Sequence, residues 1–297
     1  LILLAIALVR TFMHVAPQPD LLEISQVQID KKIVSNNLAA AIRFKTISHQ
    51  DSKNFIKEEF NAFIKWAAST YPEFHSQMQF ERLEYTLLYR WQGSDPSLAP
   101  ILLTGHYDVV PVIPGTEERW EQDPFAGVIS NNRIWGRGAL DDKSGVIGMY
   151  EAATHLIQND FQPTRTVYFS FGHDEEIGGG GAALVADKLK SAGIQLHWSL
   201  DEGSFVNKGF FPGVEKLVAP INVAEKGIMN LLIAAKAAGG HSSTPPKKTA
   251  VNILADALIK LEKAPLPGSL DGLSAVMFDE VSKHMPFGYR FLFANRW

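Results

Sequence analysis

Apolar and polar positions along the chain change period several times, and each change predicts an element. From about Ile24 to Tyr71 the pattern is helical, with Phe55, Phe60, Phe63 and Ile64 supplying the apolar stripe. Short apolar runs at Thr86–Trp91 and Ile101–Thr104, separated by a turn region over Gly93–Pro100, predict two strands. A short strand is expected near Arg133–Trp135 and a helix from about Ser144 to Gln158. Thr166–Phe171 reads as a buried strand, Ala182–Ser191 as a helix and Gln195–Leu200 as a further strand. Strands and helices alternating at these lengths predict an α/β fold, a mainly parallel sheet flanked by helices. In such sheets ligands gather beyond the carboxyl ends of the strands. A second unit is expected from about Glu225, with Ile228–Ala235 strand-like, Thr249–Lys263 helical and a turn over Pro265–Gly268.

The first nine residues, Leu1 to Val9, form an apolar run closed by Arg10 and set apart by Pro17 and Pro19. A membrane helix needs about 20 apolar residues and the core of a signal peptide about 7–15. Residues 1–16 are therefore read as a truncated signal peptide or membrane anchor, which places the mature protein outside the cytosol, secreted or membrane-anchored. Residues 17–224 are assigned to the main domain and 225–297 to the start of a second one.

Composition narrows the chemistry. Basic and acidic residues are interspersed and the net charge is −4, so there is no basic stripe to hold a nucleic acid. The chain has no cysteine, which excludes disulfides and thiolate metal sites and leaves imidazoles and carboxylates as the strong ligands.

Those ligands cluster where strands end. Ile101–Thr104 runs into Gly105-His106-Tyr107-Asp108, and the strand at 133–135 runs into the loop that carries Asp141-Asp142. Thr166–Phe171 runs into His173-Asp174-Glu175-Glu176, and Gln195–Leu200 into Asp201-Glu202. A single such acid is usually just solvated. Acids gathered at one sheet edge repel each other, and removing them from water costs several kcal/mol each unless cations neutralise them. A divalent cation would do so, and His with Asp and Glu suits zinc. A dinucleotide pattern is also present: Gly178-Gly179-Gly180-Gly181-Ala182-Ala183 follows a strand, with Asp201 about twenty residues on. Asp174, Glu175 and Glu176 occupy the place where pyrophosphate would meet the helix N-terminus, and they oppose it.

The ordered motifs resemble those of the aminoacylase/carboxypeptidase zinc metallopeptidase family. They are Gly105-His106-Tyr107-Asp108-Val109-Val110-Pro111, Gly136-Arg137-Gly138-Ala139-Leu140-Asp141-Asp142-Lys143, Asp174-Glu175-Glu176 and Leu200-Asp201-Glu202-Gly203. The likeness spans roughly residues 30 to 265, takes in Trp120–Gly127 and Gly240–Pro246, and is nearest to the carboxypeptidase S and secreted N-fatty-acyl-amino-acid synthase/hydrolase branch. It implies a dinuclear zinc-hydrolase fold with a partial α+β lid/dimerisation domain, and hydrolysis of an N-acyl amino acid or of the C-terminal residue of a peptide.

The same resemblance implies His106 and Asp201 on one zinc, Glu176 on the other and Asp141 bridging both. Asp108 would hold the far nitrogen of His106. Glu175 would be the general base on a metal-bridging water. The Asp141–Asp142 peptide is expected to be cis. His241, in the lid, would reach a partner subunit's site and stabilise the oxyanion, which implies a homodimer. The family's last zinc ligand is a histidine beyond the lid, and no histidine after His241 stands in that context, so one zinc site is expected to lack its final ligand. The remaining histidines (His14, His49, His75, His155, His173, His197 and His284) are read as structural or solvated. A non-catalytic metal-binding or dimerising relative is the rival outside enzymes, and the presence of Glu175 argues against it.

Overall fold

The computed structural model describes residues 1–17, 27–225 and 227–297. Two compact units divide the chain: Ile24–Glu202, and Leu1–Glu23 together with Gly203–Trp297. In chain order the elements are α1 (Ile2–Met13), α2 (Lys31–Ile42), α3 (Lys57–Thr70), α4 (Pro72–Gln77), β1 (Gln79–Leu83), β2 (Thr86–Trp91) and β3 (Ile101–His106). A small hairpin of β4 (Val128–Ser130) and β5 (Arg133–Trp135) precedes α5 (Lys143–Gln158), β6 (Val167–Gly172), α6 (Gly180–Ser191) and β7 (Trp198–Leu200). The other unit adds β8 (Asn207–Lys208), β9 (Leu217–Val218), α7 (Ala250–Lys263), α8 (Gly272–Ser282) and α9 (Phe287–Ala294).

The larger unit is built on a five-stranded sheet in the order β1-β2-β6-β3-β7. β3 runs parallel to β6 and to β7, while β2 is antiparallel to β6 and pairs with β1 as a hairpin. The carboxyl ends of β3, β6 and β7 therefore share one edge, as the α/β reading expects. Strand alternation sends successive side chains to opposite faces. Leu87, Tyr89, Phe169 and Phe171 go to the face covered by Phe60, Phe63, Tyr71, Phe74 and Tyr150 from α3, α4, α5 and their flanks. Leu88 and Tyr168 go to the other face, against Val185 and Leu189 of α6. Burying each large apolar side chain contributes about 1.5–3 kcal/mol, so this two-sided core sets the sheet rigidly and with it the edge that carries the acids.

Several expectations change on contact with the fold. The helical pattern over Ile24–Tyr71, whose first positions 24–26 lie outside the described residues, is interrupted after Ile42 and resumes at Lys57. The backbone between them is engaged elsewhere: Val109 N donates to Thr46 O at 2.9 Å, Ser48 N to Val109 O at 3.2 Å and Thr46 Oγ1 to Tyr107 O at 2.6 Å. β1 is an unanticipated edge strand, because its polar Gln-Phe-Glu-Arg-Leu sequence lacks the apolar alternation of a covered strand.

In the smaller unit, α1 lies against α9. Arg10 Nε donates to Ala294 O at 2.9 Å, Asn295 Nδ2 to Ala7 O at 3.2 Å, and the rings of Phe12 and Phe287 are 5.7 Å apart. Among the described residues no helix is long and apolar enough to cross a membrane. Residues 228–235, expected as a strand, form no regular element, since no strand among the described residues pairs with them. α8 and α9 were not anticipated. The division between units falls after Glu202 rather than near Glu225, because β8 and β9 leave the sheet and pair only with each other.

Candidate metal centre

The end of β3 places His106 at the sheet edge, 2% exposed. Its Nδ1 donates to the backbone oxygen of Asp108 at 3.1 Å and lies 3.3 Å from Asp108 Oδ1. That leaves Nε2 facing the acids: Asp141 Oδ1 at 3.0 Å, Glu202 Oε1 at 3.1 Å and Glu175 Oε2 at 3.8 Å.

Fully buried Asp108 organises two loops at once. Besides facing His106, its Oδ1 accepts from Glu175 N and its Oδ2 from Glu176 N, both at 3.2 Å. The turn after β6 is thus hung on the loop after β3. Burial alone would lift the Asp108 pKa, but hydrogen bonds from His106 and Ser48 and the His106 charge hold it below the ordinary carboxylate range. Burial alone would likewise lower the pKa of His106, yet hydrogen bonds to Asp108 and Glu202 and their charges push it up to about 12.

The loop before α5 supplies Asp141, across a cis peptide to Asp142. Asp142 caps α5 by accepting from Gly145 N at 3.1 Å. Burial, reinforced by Glu202, pushes its carboxyl up to about 7 against the opposing pull of His106. Added methyls at Gly105 and Gly145 would come within 2.6 and 2.4 Å of the Asp142 carboxylate, so a side chain at either position would displace it. Glu175 and Glu176 follow β6 in a single 3-10 turn. Burial raises the pKa of Glu175; His106 lowers it, and Glu202, Asp108 and Asp141 raise it again. Glu176 is raised by burial and by Asp141.

Ligand atoms of His106, Asp141 and Glu176 lie within 4.8 Å of one another, as do those of His106, Glu175 and Glu202. One imidazole with several carboxylates is a donor set that fits a hard or borderline divalent cation, zinc included. Of the residues expected from sequence, His106, Asp108, Asp141, Glu175 and Glu176 meet here. Asp201 sits at the same strand end, where its Oδ1 accepts from Glu202 N at 2.9 Å, and it is Glu202 whose carboxylate faces His106. His241 lies in the other unit, exposed, with Nδ1 2.8 Å from Ser243 Oγ in its own turn. His173, read as structural, is buried with Nδ1 2.8 Å from Thr86 Oγ1.

The sequence model of Peptidase family M20/M25/M40 matches residues 102–287. A probable carboxypeptidase S-like 2 of Dictyostelium discoideum is 38% identical over 270 residues, covering 89% of this chain and 51% of that protein. The N-fatty-acyl-amino acid synthase/hydrolase PM20D1 of Mus musculus is 40% identical over 254 residues, covering 84% of this chain and 50% of its own length. Carboxypeptidase S of Saccharomyces cerevisiae is 34% identical over 246 residues, 80% of this chain and 42% of the yeast protein. The chain thus spans about half the length of the curated relatives it matches. With its motifs, its sheet and this match in agreement, the chain belongs to Peptidase family M20/M25/M40.

Proposed function

We propose that this chain carries the metal-binding and base-bearing part of a zinc-dependent amidohydrolase that cleaves an N-acyl amino acid or the C-terminal residue of a peptide. The observation that carries the reading is the meeting of His106 Nε2 with carboxylates from three other strand ends, at 3.0 to 3.8 Å. The activities named for the relatives, a carboxypeptidase S and an N-fatty-acyl-amino acid synthase/hydrolase, support the substrate class.

In this reading His106, Asp141, Glu176 and an acid of the Asp201-Glu202 pair hold two zinc ions. Bound zinc would polarise the scissile carbonyl and lower the pKa of water at the site. The chain's own residues do the rest. Asp108 fixes which nitrogen of His106 faces the cations. Glu175, with its pKa raised by burial, accepts a proton at its carboxylate from the attacking water and returns it to the departing amine. His241 is assigned to the oxyanion of a partner subunit's substrate, which makes the active form a homodimer through the lid. The apolar run Leu1–Val9 supports a secreted or membrane-anchored protein.

Glu175→Gln tests the assignment. Release of amino acid from N-acyl substrates should fall about 10²–10⁴-fold, the usual worth of a general base, while zinc content stays at the wild-type level. Wild-type turnover in the variant would remove Glu175 from this role.

A further inference from the structure

Lys143, the last residue of the Gly136–Lys143 motif, has no place in the chemistry above, yet it is completely buried. Its Nζ donates to Ala41 O at 3.0 Å and to Phe44 O at 2.6 Å, and lies 5.9 Å from the centre of the Phe63 ring. Ala41 and Phe44 flank the end of α2, where helix carbonyls lack partners within the helix. The aliphatic stem is held as well. Gly138 has φ +83°, and a side chain there would come within 2.8 Å of Val109 Cγ1 and 3.1 Å of Lys143 Cδ.

The two carbonyls belong to a segment with a second engagement. Two residues after Phe44, Thr46 begins the stretch that brackets Tyr107–Val109, through Val109 N to Thr46 O and Ser48 N to Val109 O. Asp108 lies inside that bracket and holds both His106 and the Glu175-Glu176 turn. Lys143 sits two residues from Asp141. It therefore joins the loop carrying Asp141 to the support of the loop carrying Asp108, two pieces of chain otherwise remote in sequence.

We propose that Lys143 is a positioning residue of the metal centre, whose buried Nζ clasps Ala41 O and Phe44 O and thereby fixes Asp141 relative to His106. This rests on the reading of the centre as a zinc site. A lysine that only completed the core would support stability and leave metal affinity alone. A positioning lysine supports both.

The test is calorimetric titration of the metal-free chain with Zn²⁺ alone, comparing wild type, Lys143→Met and Val185→Ala. Lys143→Met keeps the stem and removes the donors. Val185→Ala loosens the core on the opposite face of the sheet and controls for lost stability. Lys143→Met should bind zinc about 10–100-fold more weakly, the range seen when support of a ligand is lost, and Val185→Ala should bind like wild type. Wild-type affinity in folded Lys143→Met overturns the proposal, as does equal weakening in Val185→Ala. If Lys143→Met does not fold, Lys143→Gln, too short to reach both carbonyls, takes its place with the same opposing outcomes. The chain has no cysteine, so Lys143→Cys aminoethylated in denaturant carries a lysine-like amine at that position alone. Refolded, it should recover wild-type affinity, and failure to recover counts against the clasp. Should wild type itself take up no zinc, the metal-centre reading fails; uptake by wild type with an unchanged variant overturns only the role of Lys143.

Discussion

His106 is where the competing effects can be weighed. Burial disfavours its charged form, but the hydrogen bonds and charges of Asp108 and Glu202 win and lift its pKa to about 12. A metal-ligating imidazole must be neutral, so a cation entering this centre displaces that proton. Zinc binding to the metal-free protein should accordingly release protons, and its apparent affinity should go on rising above about pH 7.5, where an ordinary imidazole of pKa about 6.5 is already neutral. Calorimetry in buffers of different ionisation enthalpy reads this directly, and a pH-independent affinity would contradict the protonated His106. The acids at the strand ends were legible from sequence because each lies within a few residues of the end of a short apolar run. The approach of Glu202 to His106 was not legible, since it depends on which way the chain turns as it leaves β7. Lys143 was equally silent: a lysine beside two aspartates reads as a surface charge, and only the fold puts its amine against Ala41 and Phe44.

Among the elements, α4 shows how the core sets pH dependence away from the metal centre. His75 is held by Tyr71 O at 3.0 Å from Nδ1 and by Tyr89 Oη at 3.0 Å from Nε2, and its ring packs near Phe74, Phe80, Tyr89 and Tyr150. Burial lowers its pKa below the ordinary 6.5 against an opposing effect of the Tyr71 carbonyl. Just below that pH the unfolded chain binds a proton that the folded chain does not, so stability falls as pH falls. Urea unfolding should show wild type losing more stability than His75→Gln between about pH 7.5 and pH 5.5. Equal losses would show that His75 is not held neutral. The central strands and α5–α6 were legible because their apolar periodicity is strong. The break after Ile42 was not, because what interrupts the helix is hydrogen bonding of Thr46 and Ser48 to a strand end sixty residues away. The expected strand over 228–235 shows the converse: an apolar run has strand propensity, but a strand also needs a neighbour.

At the scale of the molecule, the larger unit is a rigid sheet with a two-sided core, and it delivers four separate loops to one edge. Nothing in the packing of that core requires His106, Asp141, Glu175, Glu176 and Glu202 to be acids and an imidazole. Their like charges make the edge costly without a cation. The family match and the motif order agree with this arrangement. The most direct test is zinc uptake by the metal-free chain, measured calorimetrically for wild type and for His106→Ala. Stoichiometric binding by wild type, lost in His106→Ala while the variant still unfolds cooperatively, is the predicted result. A wild-type chain that takes up no zinc, or a His106→Ala chain that takes it up equally well, would contradict the account.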